Sequence, residues 1–419
     1  MNNLLRWIDR FVVLFCGSLL GAAVLSACVD RGAQGVRVGP AVSLAQKVAS
    51  PDAKSFAHPG LLHRESDFER MRVKVAEGAQ PWIQSWQLLL KNRHASLDWK
   101  PNAQSAVYRG SDHVHHENYA ALFNDAAAAY QLGLRWKISG DVAYADQAVT
   151  ILNAWSAQLT TVGGSSDRFL AVGIYGYELA NAAEIVRGYP KWRVEDFARF
   201  KTMMLTVFYP MNHEFLIGHN GAKIDHYWAN WDLENVAAMM SIGVLADRRD
   251  IYSEAIEYFK HGAGNGSIEH TVWMLYPNGL GQVQESGRDQ GHTMLDISLL
   301  GVICQTAWNQ GDDLFGYEDN RVLRGAEYAA QYNLGEDVPY EPYTNSDVTQ
   351  SVISNASRGD RRPIWELLYS HYVVLKGLEA PHVQAFAQQV RPEGGGGDYG
   401  PNSGGFDQLG YGTLTFSLR

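Results

Sequence analysis

The sequence predicts an all-α protein: an (α/α) toroid, or incomplete barrel of helical hairpins, with a glycine-rich loop region near the C-terminus. Apolar residues recur at helical spacing in about a dozen segments of roughly 10 to 20 residues, whereas strand patterns are almost absent before a weak alternation at 412–418. No sequence repeat of fixed period is present, so a regular solenoid is not expected. A closed ring of helix pairs fits the alternating short and long connections better.

Start and stop signals define the helices in order. A capping box at Ser66-Asp-Phe-Glu69 opens the first, and Pro81 opens the second, which carries Trp82, Trp86, Leu89 and Leu90 on one face. The later helices are predicted at 119–139, 141–159, 169–187, 194–211, 231–247, 251–260, 293–308, 320–332 and 364–377. The long polar loops near 94–117, 212–229, 276–292 and 391–411 would then gather on one side of the ring.

The first 28 residues are typical of a targeting signal. Arg6 and Arg10 precede an apolar run over 11–24 that ends in Leu-Ser-Ala-Cys28, the pattern of a bacterial lipoprotein signal in which Cys28 is lipidated. The alternative is a plain secretory signal with a chance cysteine. In either case we expect an exported protein, with the lipid placing it at the outer membrane, in the periplasm or at the cell surface. Residues 29–54 read as a linker and 55–419 as one domain.

Composition excludes some functions. The formal net charge is −10, and removal of a leader with two arginines and one aspartate leaves about −11. Such a charge argues against nucleic-acid binding. The chain has twelve tryptophans and twenty-one tyrosines, which fit either sugar stacking or the filling of a large core. Cys16 would leave with the leader and Cys28 would carry lipid, so Cys304 is the remaining free thiol and no disulfide framework is expected. We expect a monomer.

The polar stretch 282–292, Gln-Val-Gln-Glu-Ser-Gly-Arg-Asp-Gln-Gly-His, is the strongest functional candidate. Eight of its side chains can form hydrogen bonds, and it lies between a glycine-rich loop and an apolar helix. A helix start needs one or two polar residues, for which Ser286 and Asp289 suffice. The excess indicates an active-site rim built from Glu285, Arg288 and His292.

Three other loops carry polar clusters. The segment 219–232 places Asp225, His226 and Asn230 at a helix start, where His226 and Asn230 would share a face if the helix began early. Asn230 could equally be the N-cap. The cluster His113-Val-His115-His116 is weak evidence for a metal, and none is predicted. The glycine-rich segment 391–407 is either a flexible tail or a folded loop that approaches a ligand.

These segments together resemble polysaccharide lyase family 38, a group of alginate-lyase-like proteins with an (α/α) toroid fold. The resemblance rests on 282–292, Asn230-Trp-Asp-Leu233, Tyr332-Asn-Leu-Gly335 with Val338-Pro339, and 391–412, and it covers roughly 55–419. The run 227–231 is also similar to the segment that follows the catalytic Asn-His pair of other alginate lyases. Here Asp225 stands at the position of that histidine, and no tyrosine closely follows Arg288. A tyrosine from elsewhere (Tyr175, Tyr276 or Tyr399) could take that part.

The resemblance implies β-elimination on a 4-linked uronate polymer, such as alginate, polymannuronate or glucuronan, without metal or organic cofactor. Asn230 and Arg288 are the candidates for stabilising the carboxylate dianion that develops when the C5 proton leaves. His226 and His292 are candidates for acid and base, and Glu285 for orienting Arg288 or a histidine. The predicted substrate-binding residues are Asn220, Tyr227, Trp231, Gln284, Gln290 and Tyr399.

Two other functions stay open. A glycoside hydrolase on the same toroid would use a carboxylate pair, for instance Glu285 with Asp232 or Asp398. A non-catalytic glycan-binding surface lipoprotein would need only the aromatic residues and the cleft. The sequence does not distinguish among mannuronate, guluronate and glucuronate, nor endo from exo action.

Overall fold

The computed structural model describes residues 55–394 and 407–419. Both ranges fall within one compact unit, 52–419. The predicted signal with Cys28, the linker, and Tyr399 and Asp398 of the glycine-rich loop lie outside the described residues.

The described residues form fifteen α-helices. They are α1 Glu65–Ala76, α2 Trp82–Lys91, α3 Ala120–Ser139, α4 Val142–Gln158, α5 Arg168–Val186, α6 Val194–Met203, α7 Tyr209–Gly218, α8 Ala229–Leu245, α9 Arg249–His261, α10 Ile268–Thr271, α11 Gln290–Gln310, α12 Tyr317–Asn333, α13 Trp365–Leu368, α14 Pro381–Val390 and α15 Gly412–Phe416. Two π-helical segments, Met204–Phe208 and Tyr369–Leu375, continue α6 and α13.

The described residues also form three two-stranded sheets in the connections between helices. Strands β1 Ala106–Arg109 and β2 Thr161–Gly164 are parallel, whereas β3 Val272–Leu275 with β4 Gly281–Val283 and β5 Tyr343–Thr344 with β6 Thr349–Gln350 are antiparallel. Strand β1 lies in the α2–α3 connection and β2 in the α4–α5 connection, whereas each of the other two pairs lies within one connection. The strands therefore shape the loops at the helix ends and do not form a layer of their own.

The helices form an (α/α) toroid, as the sequence predicted. Helices α3, α5, α8 and α11 pack side by side as an inner layer, with α4, α7, α9 and α12 packed against them from outside. Helices α1, α2, α13 and α15 complete the ring by contacting one another and α3. Helices α5 and α8 are buried on almost every side, as expected of helices apolar all round. Helix α9 is amphipathic, with its polar face outward.

The C-terminal residues are threaded into the ring. Asp407 forms an ion pair of 2.6 Å with Arg362, and its backbone oxygen accepts a hydrogen bond from Tyr177. Farther on, Ser417 Oγ donates to Glu366 at 2.8 Å. Thr415 is fully buried, and its carbonyl accepts a hydrogen bond from Arg70. This segment therefore belongs to the core.

Some helix boundaries differ from the predicted ones. Helix α1 begins one residue before the Ser66 box, because Asp67 accepts the Arg64 backbone N–H at 2.8 Å and fixes the first turn there. In α2, Leu90 is 40% exposed and does not join the buried face. The weak strand pattern at 412–418 was wrong, since this stretch forms α15, buried from Gly412 to Thr415.

Two further segments depart from the sequence analysis. Helix α14 was not predicted at all. The helix predicted at 194–211 extends to Gly218 through the π-helical segment. Predictions for α3, α4 and α5 agree with the structure to within a residue at each end, helped by a left-handed Gly140 after α3 and by Asp141, which accepts the Ala143 N–H at the start of α4.

Candidate active site

The candidate active site lies where α8 and α11 begin. The polar stretch 282–292 folds as the end of β4, a 3-10 turn at Gln284–Gly287 and the first turn of α11. Asp289 caps α11 by accepting the backbone N–H of His292 at 2.8 Å. The stretch is therefore a helix start, as one interpretation held, but most of its polar side chains make contacts that a cap does not require.

Two of these side chains bind the first turn of α8. The backbone N–H of Ala229 donates to Gln284 Oε1 at 3.1 Å, and that of Asn230 donates to Glu285 Oε1 at 3.0 Å. A helix N-terminus exposes unpaired N–H groups and partial positive charge, which amide oxygens and carboxylates stabilise. These bonds join segments 55 residues apart and hold both helix starts in one place.

Glu285 holds Arg288 in position. The Glu285 side chain is fully buried, and its second oxygen accepts a hydrogen bond from Arg288 Nη1 at 2.7 Å. The guanidinium lies over the Trp228 ring, 5.0 Å from its centroid, and its side chain remains 27% exposed. Both Glu285 oxygens are thus used within the protein, and this is the geometry that an orienting role requires. The role itself stays a prediction.

Asn230 presents an unused amide in this cleft. The residue is 4% exposed, and its buried Oδ1 has no hydrogen-bond partner among the described residues. It lies in the first turn of α8 and is not the N-cap, a position that Trp228 occupies. Buried polar groups are nearly always paired, so an unpaired amide beside Arg288 indicates a place for a polar ligand.

Glu234 lies one turn farther along the same face of α8. Neither carboxyl oxygen has a hydrogen-bond partner in the described part of the chain. Burial raises the pKa of Glu234 well above its ordinary value; Arg109 opposes this rise, while Asp407 and Glu285 add to it. This shift favours the protonated carboxyl, which can donate a hydrogen bond as the Asn230 amide can.

Two further arginines belong to the cleft, and the sequence analysis missed both. Arg109, at the end of β1, donates to Tyr175 Oη at 3.1 Å and lies 5.2 Å from the Tyr119 ring centroid. Arg168, which opens α5, donates to Asn220 Oδ1 at 2.9 Å. With Arg288, these residues place three guanidinium groups around the helix starts. A basic cleft in an acidic protein is what an anionic chain would bind.

The two candidate histidines are each held by a carboxylate. His226 Nδ1 lies 2.7 Å from Asp347 Oδ2, and His292 Nδ1 lies 2.7 Å from Asp289 Oδ2. Both side chains are partly exposed, at 45% and 38%. A carboxylate on one ring nitrogen fixes the orientation of the other, which is the usual preparation for proton transfer. His292 is connected to Arg288 through the intervening Asp289, whose carboxylate lies 3.8 Å from Arg288 Nε.

His226 and Asn230 do not share a helix face, because the helix does not begin early enough to include His226. Helix α8 begins at Ala229, so His226 lies in the preceding loop. That loop is held by the β5–β6 hairpin, where the Ser346 backbone N–H donates to Asp225 Oδ2 at 2.9 Å. Because of this docking, Asp225 is occupied as a structural acceptor, and Ser346 holds its pKa below the ordinary value.

The structure places the predicted substrate-binding residues differently. Asn220 and Tyr227 contact each other, with Asn220 Nδ2 donating to Tyr227 Oη at 3.1 Å, and Trp231 packs against the Tyr227 ring at 4.6 Å. Gln284 is buried, with its Nε2 unpaired. Gln290 is 1% exposed and bonded through both ends of its amide, to Asn333, Ser286 and Ser354, so its side chain has no group left for a sugar.

Two of the three alternative tyrosines, Tyr175 and Tyr276, lie among the described residues. Burial raises the pKa of Tyr175 well above its ordinary value, and its hydroxyl accepts from Arg109. Tyr276 donates to Gln282 Oε1 at 2.5 Å, and burial raises its pKa as well. Both phenols are thus protonated and hydrogen-bonded at neutral pH. Tyr343 also contacts the polar stretch; burial raises its pKa, and side-chain hydrogen bonds with Gln284 and Asn345 oppose that rise.

Within 55–394 and 407–419, no group of three or more His, Cys, Asp or Glu residues is arranged to hold a metal ion. In the histidine-rich loop, His115 pairs with Asp112 and stacks on Tyr108 at 4.0 Å. Over the same described residues, no helix combines the length and apolar character needed to span a bilayer.

Solved structures with this architecture include alginate lyases. The enzyme from Bacteroides ovatus superposes with a TM-score of 0.56 at 14% identity, over 87% of this chain and 100% of its own. Alginate lyase A1-III complexed with tetrasaccharide gives 0.56 at 13% identity over 86% and 97% of the two chains. The Sphingomonas species A1 form of that enzyme gives 0.54 at 13% identity over 86% and 98%. No curated protein sequence matches this chain.

These superpositions show that the chain has the (α/α) toroid fold of the solved alginate lyases. The sequence model of the alginate lyase family matches residues 88–338, more than half of the chain. The chain belongs to the alginate lyase family.

Proposed function

We propose that the cleft binds a 4-linked uronate polymer, with alginate the leading substrate, and cleaves it by β-elimination. The observation that carries this proposal is the unpaired Asn230 amide beside Arg288 in a buried, basic cleft. The solved relatives named alginate lyases share the fold, and one of them holds a tetrasaccharide. Within the family, the motifs at 282–292 and 391–412 support placement in polysaccharide lyase family 38.

The reaction requires three separate contributions. Hydrogen-bond donors stabilise the substrate carboxylate as its charge grows, a base removes the C5 proton, and an acid protonates the departing C4 oxygen. The C5–H electrons form the C4–C5 double bond while the C4–O bond breaks, so no oxidant or reductant is needed. Asn230 and Arg288 are the proposed donors, and Glu234 in its protonated form is proposed as a third, one turn farther along α8.

His226 and His292 are the proposed proton-transfer groups. Each has one ring nitrogen on a carboxylate and the other without a partner among the described residues. Tyr175 and Tyr276 are weaker choices, because burial raises the pKa of each phenol and opposes its use as a base. Tyr399 stays a candidate.

The glycoside hydrolase alternative is disfavoured because two of its candidate carboxylates, Asp232 and Glu285, already form hydrogen bonds within the protein. Asp232 is fully buried and bonded to His219, Tyr258 and the Gly266 backbone, while Glu285 is bonded to Asn230 and Arg288. Neither Asp232 nor Glu285 can contact a glycosidic oxygen or a water without breaking these hydrogen bonds. General acid–base catalysis requires such a contact.

The test is incubation of the purified protein with alginate, polymannuronate, polyguluronate and glucuronan. Elimination creates a conjugated double bond, so ultraviolet absorbance rises together with new reducing ends. Reducing ends without absorbance would replace the proposal by hydrolysis, and binding without either would leave a glycan-binding protein. Export through the signal at 1–28 and anchoring through Cys28 complete the proposal and place the cleft where polymeric substrates occur.

A further inference from the structure

A second cavity lies at the opposite end of α11 from the candidate active site. It encloses about 180 Å³ between the start of α1, the last turns of α11, the π-helical segment Tyr369–Leu375 and the C-terminal residues. Trp308 in its wall is 18 residues beyond Gln290, which corresponds to about 27 Å along the helix. A ligand in this cavity is therefore separate from one in the cleft.

Two buried polar side chains in the wall lack partners. Ser370 and His371 are each 4% exposed, and neither Ser370 Oγ nor His371 Nε2 forms a hydrogen bond to a described residue. Burial lowers the pKa of His371 to about 4, with Lys376 lowering it further, so the ring is neutral at pH 7. A neutral imidazole and a hydroxyl can each donate or accept, which suits the hydroxyl groups of a sugar.

The same wall carries excess positive charge. Arg64 Nη2 donates to the Trp308 backbone oxygen at 2.8 Å, and Arg70 donates to Asp67 at 2.6 Å. Among the residues that line the cavity, Asp67 is the one carboxylate set against two guanidinium groups. Arg64 Nη2 also donates to the Asn309 backbone oxygen, and Arg64 Nε is buried without a hydrogen-bond partner in the described ranges. One positive charge therefore remains for a ligand carboxylate.

The rest of the wall is apolar. Trp308, Leu367 and Phe416 line it, and the Trp308 ring is held edge-on against His371 at 4.9 Å. A sugar ring has an apolar face of C–H groups and a polar edge of hydroxyls, and aromatic side chains with neighbouring hydrogen-bonding groups bind both. The cavity holds one ring and not a chain.

We propose that this cavity is a second, non-catalytic binding site for a single uronate unit. Arg64 would bind the carboxylate, Ser370 and His371 the hydroxyls, and Trp308 the apolar ring face. The choice of uronate rests on the proposed function, since the polymer in the cleft would supply the unit. A site on the far side of the ring would hold one end unit of a polymer or a released unit, apart from the cleft.

The test uses calorimetry with D-glucuronate, a monosaccharide without the C4 glycosidic bond that a lyase breaks. Binding is measured on the full chain carrying Arg288→Ala, which weakens the cleft and leaves the cavity intact. We expect one glucuronate to bind. Adding Gln305→Phe, which fills the cavity from α11, should weaken binding at least tenfold, whereas Gln388→Phe on the exposed face of α14 should not change it. Arg64→Gln should weaken binding about tenfold, as expected for a lost charged hydrogen bond.

The outcomes separate the two proposals. If the Arg288→Ala chain binds no glucuronate, the second site is wrong even where the wild type cleaves polyuronates. If glucuronate binds but no polyuronate is cleaved, the proposed function is wrong and the second binding site is supported. D-Glucose and inorganic phosphate are the comparison probes, and both should bind at least tenfold more weakly. Equal binding of phosphate would reduce the cavity to a general anion site and overturn the assignment to a sugar. Melting temperatures of all variants verify folding.

Discussion

Asn230 and Glu234 lie one turn apart on the same face of α8, and both carry buried side-chain oxygens without a hydrogen-bond partner among the described residues. A folded protein normally avoids such a pair, because each unpaired buried group costs about 1–3 kcal/mol. Two of them on one face of α8 indicate that the cleft is complete only when a polar ligand or water occupies it.

The first prediction concerns Asn230 and Arg288. Asn230→Ala or Arg288→Ala should lower turnover by about 10²–10³, because each removes a donor that stabilises charge developing in the transition state. Steady-state kinetics on the best polyuronate measures this. Arg193→Ala, at a side chain 70% exposed on the outer surface, is the matched control and should be neutral. A folded Asn230 or Arg288 variant with near wild-type turnover removes that residue from the role.

The second prediction concerns the two histidines. If they transfer protons, each should be required for turnover, and kcat/KM is measured against pH for wild type and for both variants. His226→Gln and His292→Gln should each lower turnover about 10²-fold or more. His261→Gln, at an exposed position on α9, should have no effect. Retention of more than about a tenth of turnover by both variants, or a rising limb well above neutral pH, would point to a tyrosine base instead.

The third prediction uses the raised pKa of Glu234. Below its ordinary value of 4.5 both folded and unfolded states are protonated, whereas above it only the unfolded state loses the proton. Stability contributed by this group therefore falls as pH rises, by up to about 1.4 kcal/mol per unit. Glu234→Gln should remove this loss, so its stability advantage over wild type should grow between pH 5 and 7.

The measurement for Glu234 is chemical denaturation across that pH range, with the exposed Glu257→Gln as control. Glu234→Gln should also keep much of the activity, because its amide donates as the protonated carboxyl does, while Glu234→Ala should lose it. An advantage that is constant with pH would mean that Glu234 is ionised in the folded protein.

The fourth prediction concerns the close packing of Gly266 against Asp232. A Cβ on Gly266 would lie 2.2 Å from Asp232 Cβ and 2.9 Å from Leu233 N. Gly266→Ala should therefore destabilise the protein by about 1–3 kcal/mol through overpacking. Gly218→Ala, where a Cβ meets no atom within 4 Å, is the control. Equal stability of the two variants would show that the turn around Asp232 is not tightly packed.

The fifth prediction concerns Cys28. Exchange of Cys28 for Ser should release the protein from membranes, because lipidation needs the thiol that ends the Leu-Ser-Ala-Cys pattern. Fractionation of cells that express wild type and variant measures it, with Cys304→Ser as the control that leaves the signal intact. A Cys28→Ser protein that stays in the membrane fraction contradicts the anchor.

The fold was predictable from local signals where those signals were strong. Gly140 and Asp141 mark the α3–α4 junction through left-handed geometry and capping, both short-range effects. Helix α15 was not predictable, because its residues alternate weakly and only burial inside the ring selects a helix. Helix propensity is weak compared with tertiary packing, so segments at the centre of a ring are the hardest to assign.

The candidate site was predictable in part for a similar reason. Glu285, Arg288 and Asn230 were found because they are concentrated in short polar stretches of the sequence. Arg109 and Arg168 come from distant loops and carry no local signal beyond being charged residues near a strand and a helix start. Gln290 looked suitable for a ligand in the sequence, and only the structure reveals three internal partners.

The threading of residues 407–417 into the ring has a consequence for biosynthesis. Arg70 near the start of the domain and Glu366 near its end both bond to this segment, so the ring cannot close until the segment has left the ribosome. Closure of the ring is therefore a late event in synthesis, and a tag or truncation placed within the segment would remove the contacts that complete it.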